Sequence, residues 1–219
     1  MTEMPAPAPT HESEDHAEAR AFAHHHGLRH ESQRKELVDK WRGYPFGQGN
    51  WRRARNIVTG QISGRAMTAF EYHFVTYSDD ETGGYERDAL HRFLICVLDL
   101  SAAAPALSAV RTDWLEFNPD AVVGSTIDVD DEAFRTHFTV FGDDADFAHV
   151  VLTPERAARC MEPRARTEWR FDGDELVMWA KGGRVGEQVK AILDVISPLA
   201  LAAESYRATA ATGAAAPPV

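Results

Sequence analysis

Arginine and aromatic side chains are interleaved in one short stretch of this 219-residue chain. The stretch reads WRGYPFG from residue 41 and WRRAR from residue 51, and its glycines and proline predict a loop between the two runs. Arginine and aromatic side chains carry much of the binding energy in protein interfaces. We therefore predict a binding surface here. Its candidate residues are Trp41, Arg42, Tyr44, Phe46, Trp51, Arg52, Arg53 and Arg55.

Charge is distributed unevenly along the chain. The net charge is -11 at pH 7, yet residues 29–65 hold nine basic and three acidic side chains, a local charge of +6. Residues 120–150 hold eight acidic side chains and one basic side chain, a local charge of -7. Two interpretations of residues 41–55 follow. Their arginines bind an anionic or protein partner, or they pair with the acidic segment while the aromatic residues close one end of a sheet.

The acidic total argues against a nucleic-acid partner, because phosphate contacts need a basic surface. Peripheral contact with an anionic membrane through residues 29–65 is an alternative function. A transmembrane segment is not predicted, since the longest strongly apolar stretch runs only from Ile192 to Ala203, whereas a span needs about 20 residues. The N-terminus also lacks the pattern of a signal peptide, so we expect a soluble, cytoplasmic protein.

Histidine and aspartate residues provide the main enzymatic alternative. A metal-dependent enzyme could use His91, His137 and the Asp143–Asp146 group, although no motif of defined spacing surrounds them. The adjacent His24–His26 point about 100° apart on a helix and cannot all face one ion. The sequence has neither a phosphate-binding loop nor a nucleophile elbow. We therefore predict no catalytic residue, metal or cofactor, and our leading hypothesis is a non-enzymatic binding or regulatory module.

Periodicity predicts the elements that must position the candidate residues. Helical spacing predicts helices from Ser13 to about Gly27, from Gln33 to Trp41, and along the face from Val185 to Ile196. Strands are predicted over Arg55–Ile62, Arg65–Tyr77 and His91–Leu100, with a hairpin around Asp172 and Gly173. Because strands and helices do not alternate as βαβ units, the fold class is α+β, with a mostly antiparallel sheet and flanking helices.

Both ends of the chain are rich in alanine and proline. Residues 1–12 and 208–219 hold no apolar side chain larger than methionine, which predicts disordered tails. The remaining residues, 13–207, are predicted to form a single α+β domain. Arginine outnumbers lysine by 19 to 4, which together with the many alanines suggests a GC-rich bacterial genome.

Three stretches carry a family resemblance. They are WRGYPFG at 41–47 with RARNIVTG at 53–60, AFEY at 69–72 with HRF at 91–93, and DEAFRTHFTV at 131–140 with VLTP at 151–154 and WRFDGDEL at 169–176. Over about residues 20–196, the chain resembles the bacterial domain of unknown function 3137. The resemblance implies an α+β domain without an established activity, so it supplies no catalytic residues. Members of that family often place membrane helices before this domain. Here a Pro-Ala-rich segment occupies that position, which favours a free soluble form.

Overall fold

The computed structural model describes residues 11–62, 64–79, 85–112, 124–162 and 167–214. Its strands are β1 (Arg29–Gln33), β2 (Asn50–Ile62), β3 (Arg65–Asp79), β4 (Tyr85–Asp99), β5 (Leu107–Arg111), β6 (Ser125–Ile127), β7 (Phe138–Gly142), β8 (Glu168–Asp172) and β9 (Glu175–Lys181). Its α-helices are α1 (His11–His25), α2 (Glu132–His137), α3 (Ala145–Val151), α4 (Pro154–Cys160) and α5 (Glu187–Ala214).

The nine described strands form one sheet in the order β1-β2-β3-β4-β9-β8-β5-β7-β6. Every neighbouring pair among them is antiparallel. Residues 93–98 of β4 are all buried, as expected for a strand covered on both faces. The predicted α+β class with an antiparallel sheet and flanking helices is confirmed.

Alternate residues of β4 enter two separate cores, because successive side chains of a strand point to opposite sides. Leu94 and Leu98 pack with side chains of α1, α3, α4 and α5, and we call this side the helix face. Phe93 and Val97 pack on the other side with side chains from residues 37–46, and we call that side the loop face. The sheet is therefore the layer shared by both cores.

The segment between α1 and β2 differs from the prediction. The predicted helix from Gln33 to Trp41 is wrong, because β1 ends at Gln33 and only a short 3₁₀ helix follows, over Lys35–Leu37. Leu37 and Trp41, whose spacing suggested a helix, are both buried, but they contact the loop face from an irregular segment. Strand β1 was missed because its sequence, RHESQ, shows no apolar alternation, as is common for a solvent-exposed edge strand.

The described helices reach further toward both termini than composition suggested. Helix α5 continues to Ala214, so residues 208–214 are helical where a disordered tail was predicted. Alanine has the highest helix propensity, and this alanine-rich run extends a helix that is already packed. Helix α1 begins at His11 rather than Ser13. Residues 1–10 and 215–219 lie outside the described residues, so the rest of the predicted domain division stays a prediction.

A predicted turn and a helix cap show the local geometry at two places. The hairpin around Asp172 and Gly173 is confirmed, since Asp172 pairs with Glu175 across β8 and β9 and Gly173 has a φ of 62°. The short helix α2 is capped by Asp131, whose Oδ1 accepts a hydrogen bond of 2.8 Å from the Phe134 N–H.

Candidate functional site

Strands β3 and β4 extend past their neighbours as a two-stranded arm. The first residue of β2, Asn50, pairs with Val75, while β3 continues to Asp79. On the other side, the last residue of β9, Lys181, pairs with Phe93. We call residues 76–79 of β3 and 85–92 of β4 the arm. Its strands pair with each other, but within the described ranges no further strand pairs with them.

A groove of about 270 Å³ opens at the base of the arm. It lies on the helix face, because its β3 residues continue the alternation of Ala69, which belongs to the helix-face core. Three of its side chains are large, apolar and exposed: Trp51 at 68%, Leu90 at 50% and Tyr77 at 39%. The complete lining is Trp51, Arg53, Arg55, His73, Val75, Tyr77 and Leu90.

Two bulges in β2 shape this site. The register between β2 and β3 shifts between Asn50 and Arg53 and again between Arg55 and Val58, so each time β2 has one residue more than its partner. Each bulge contains a non-glycine residue with positive φ, Trp51 at 55° and Asn56 at 50°. Bulges are common beside functional sites because they redirect side chains. Here they leave the Trp51 ring exposed in the groove and turn Asn56 toward β3.

A buried carboxylate lies next to the groove on β3. Glu71 is 1% exposed, and its Oε1 accepts a hydrogen bond of 3.3 Å from the Val185 N–H. Its Oε2 lies 3.3 Å from Nε2 of His73, which lines the groove. Burial alone would raise the pKa of Glu71, but hydrogen bonding with His73, Asn56 and Val185 lowers the pKa below its ordinary value. Glu71 is therefore ionised at neutral pH.

The polar cluster continues from Glu71 into helix α1. The Oδ1 of Asn56 lies 3.2 Å from Nδ1 of His16, whose ring contacts His30 edge-on at a centroid distance of 4.8 Å. The preceding residue of the same helix, Asp15, is 3% exposed and accepts a hydrogen bond of 2.9 Å from Arg92 of β4. The other Asp15 oxygen lies 2.7 Å from Nη1 of Arg184. These contacts join α1, β2, β3, β4 and the segment after β9.

The groove combines the properties of a site for an anionic, partly apolar ligand. Arg53 is exposed and forms no ion pair within the part of the chain that the structure describes. Arg55 and the His73 ring line the groove beside it, and the exposed rings of Trp51 and Tyr77 offer apolar contact.

The structure divides the eight predicted binding residues into three groups. Trp51, Arg53 and Arg55 line the groove. The other aromatic residues pack into the loop-face core: Trp41 and Phe46 are buried, and Tyr44 packs edge-on against Phe93. These three rings therefore cover part of the loop face of the sheet.

The remaining predicted residues are placed elsewhere. Arg52 lies 2.9 Å from Asp39, and Arg42 is exposed without lining the groove. Trp41 itself donates a hydrogen bond of 2.8 Å from Nε1 to Oε2 of Glu175. The groove-lining residues that the composition did not indicate are His73, Val75, Tyr77 and Leu90. A signal for the first existed in the sequence, since Glu71 and His73 occupy alternate positions on one face of a predicted strand.

The basic segment 29–65 was predicted to pair with residues 120–150 or to bind an outside partner. Arg34 and Arg52 pair with Glu31 and Asp39 inside the segment, while Lys40 and Arg65 pair with Glu175 and Glu204 outside it. Only the two outside partners lower the net positive charge that the segment presents to an anionic membrane. Among the described residues, no helix is long and apolar enough to cross a membrane.

Three residues of the metal-dependent alternative make contacts within the fold. His91 is held by Thr76, with 3.0 Å between Nε2 and Oγ1, and its ring stacks on Phe74. His137 lies 3.1 Å from the Ala133 carbonyl oxygen, and Asp144 caps α3. Across the described ranges, no three His, Cys, Asp or Glu side chains are grouped so that they could hold a metal ion.

The fold has a counterpart among solved structures. The crystal structure of the mycobacterial trehalose monomycolate transport factor A, TtfA, aligns with a TM-score of 0.60 over 86% of this chain and 93% of that chain. The two sequences are 12% identical, so the likeness shows the fold alone. No protein-family model matches the sequence, and neither does any curated protein. The resemblance to the domain of unknown function 3137 therefore stays a prediction.

Proposed function

We propose that this protein is a non-enzymatic binding module whose groove holds an acidic, partly apolar segment of a protein partner. The observation that carries the proposal is the exposure of Trp51, Tyr77 and Leu90 around two arginines. Exposed aromatic side chains next to arginine are the commonest anchors of protein interfaces. The acidic charge complements Arg53, which has no ion-pair partner among the described residues.

Size and charge favour a peptide segment over larger anionic surfaces. A groove of about 270 Å³ accommodates a few side chains, not the continuous surface of a duplex or a bilayer. The net charge of -11 also opposes approach to any extended polyanion, whereas a short segment can place its acidic side chains beside Arg53. The fold is similar to that of TtfA, the mycobacterial trehalose monomycolate transport factor A, and a transport factor is compatible with a role that involves no catalysis.

Site-specific photo-cross-linking tests this function. A benzoylphenylalanine replaces Tyr77 in the groove, and in a control variant it replaces Leu201, which is 52% exposed on α5. Both variants are irradiated in the cell that naturally makes this chain, and adducts are identified by mass spectrometry. We expect a discrete protein adduct from position 77 that is missing from position 201.

Charge reversal then distinguishes binding in the groove from nonspecific association. Arg53→Glu should abolish the adduct from position 77, because it replaces the cation that receives the acidic segment. The matched variant Arg42→Glu changes an exposed arginine of the same sequence stretch that does not line the groove, and it should leave the adduct unchanged. Equal adducts at positions 77 and 201, or an adduct unaffected by Arg53→Glu, would refute the proposal.

A further inference from the structure

On the β3 side of the arm, beside the groove, no strand among the described residues pairs with Tyr77–Asp79. Strand β2 covers β3 only as far as the Asn50–Val75 pair, and the chain before Asn50 leaves the sheet at Gly49. A Cβ at Gly49 would lie 2.6 Å from the Phe74 ring, which belongs to the loop-face core, and 2.6 Å from the Val75 oxygen. The chain therefore turns toward the loop face and leaves Tyr77–Asp79 without a β2 residue opposite them.

Such an edge is a template for another strand. Its N–H and C=O groups can pair with an incoming segment, which extends the sheet by one strand. A two-stranded arm is only marginally stable alone, so a third strand would also stabilise it. The groove determines which face of the added strand is recognised. Trp51 lies in line with that strand and Tyr77 lies beside it, so side chains on the groove side contact both rings.

We propose that the acidic segment binds as an added β-strand along Tyr77–Asp79, in line with β2. The inference rests on the proposed function and specifies how the groove is used. Alternate side chains of the added strand then face the groove, where apolar residues meet Trp51 and Tyr77 and a carboxylate meets Arg53. Backbone pairing supplies affinity, and the groove supplies the preference for acidic and apolar side chains.

Backbone N-methylation of a probe peptide tests strand addition. The probe is a capped, dye-labelled peptide of sequence ETLTETLT, which places Glu and Leu on one face of a strand. Two isomers carry the same number of N-methyl groups, one on the odd positions and one on the even positions. Binding to the intact protein is measured by fluorescence anisotropy. Only alternate N–H groups of an edge strand point at its neighbour, so one isomer should bind at least about tenfold more weakly and the other about as well as the parent.

The outcomes separate the two proposals. If both isomers bind like the parent, or both lose binding equally, strand addition is refuted. Parent binding that is lost in Arg53→Glu but kept in Arg42→Glu would still support the groove function in that case. If the parent peptide fails to bind, strand addition by this class of segment is refuted, and the cross-linking experiment at Tyr77 decides the groove function independently.

Discussion

At the residue scale, Glu71 determines the electrostatics beneath the groove. This carboxylate is 1% exposed, so its charge depends on the hydrogen bonds that replace water. Its neighbours are His73 and Asn56, with the Val185 N–H completing its surroundings. The side chain that touches the groove, His73, is therefore oriented by a fixed negative charge and not by solvent.

Stability should depend on pH through Glu71. Its pKa is lower in the folded chain than in the unfolded chain, so the folded chain binds this proton less tightly. The stabilisation is then fully present above the ordinary glutamate pKa and is lost as the pH falls through the lowered folded value. We expect Glu71→Gln to reduce the free energy of unfolding by roughly 1.5–3 kcal/mol at neutral pH. Urea unfolding should show this difference shrinking as the pH falls below the ordinary glutamate pKa.

A matched control isolates this effect from the other carboxylates. Glu162 is exposed at the end of α4, so Glu162→Gln should change the free energy of unfolding by less than about 0.5 kcal/mol at every pH. The difference in the free energy of unfolding between the unaltered protein and Glu71→Gln should depend on pH. If it stays constant as the solution is acidified, Glu71 does not carry the lowered pKa.

At the element scale, helix α1 depends on polar contacts to an unusual degree. Its buried apolar side chains are Phe22 and two alanines, Ala19 and Ala23, which bury little apolar surface. Asp15 supplies a second attachment, through Arg92 on the sheet and Arg184 after β9. The docking of α1 therefore rests on a buried ion cluster as well as on its core contacts.

Removing Asp15 should loosen α1 more than removing either cation. Asp15→Ala leaves the half-buried Arg92 without its carboxylate, and we expect a loss of about 3 kcal/mol in the free energy of unfolding. Arg184 has a side chain 47% exposed, so Arg184→Ala should cost less than about 1 kcal/mol. Hydrogen exchange measured by mass spectrometry should show the amides of α1 exchanging faster in Asp15→Ala. An equal effect of both variants would contradict this ranking.

The turn that begins β2 provides a comparison between two glycines. Gly47 and Gly49 both have positive φ, 74° and 58°, which costs an L-residue roughly 1–2 kcal/mol. A Cβ at Gly47 meets nothing within 4 Å, whereas one at Gly49 meets the Val75 backbone oxygen at 2.6 Å. Gly47→Ala should therefore reduce the free energy of unfolding by this conformational cost alone, whereas Gly49→Ala should reduce it clearly further. Urea unfolding measures both reductions. Equal losses would show that the turn at Gly49 can move away from β3.

The sequence predicts the central elements well because they are buried in a regular pattern. Alternation along residues 65–77 and the fully apolar run of 93–98 correspond to β3 and β4. Composition also indicates Trp51 and Arg53 as candidate binding residues, and both line the groove. It cannot separate them from Trp41, because the side of the sheet that each residue reaches depends on the bulges in β2 and on a turn at Gly49. Those features depend on the pairing of strands, which local periodicity does not encode.

At the scale of the whole molecule, one sheet carries both described cores, one on each of its faces. Strands β8 and β9 illustrate this, since Trp169 is buried in the helix-face core and Trp179 in the loop-face core, on paired neighbouring strands. Both cores pack on the same strands. If one core loses its packing, the strands that support the other core are no longer held in place. The groove belongs to this same unit, because its floor is formed by β2, β3 and β4.

The shared sheet predicts a single cooperative unfolding transition for residues 13–207. Trp41→Ala opens the loop-face core and Phe147→Ala opens the helix-face core, and each should cost about 3–5 kcal/mol. Because both cores depend on the same strands, both variants should shift one common transition, with tryptophan fluorescence and far-ultraviolet circular dichroism coinciding in urea. If Trp41→Ala shifted only part of the unfolding curve, the two faces would unfold independently. The groove on the helix face would then survive the loss of the loop-face core. That result would contradict our expectation that one sheet makes both faces unfold together.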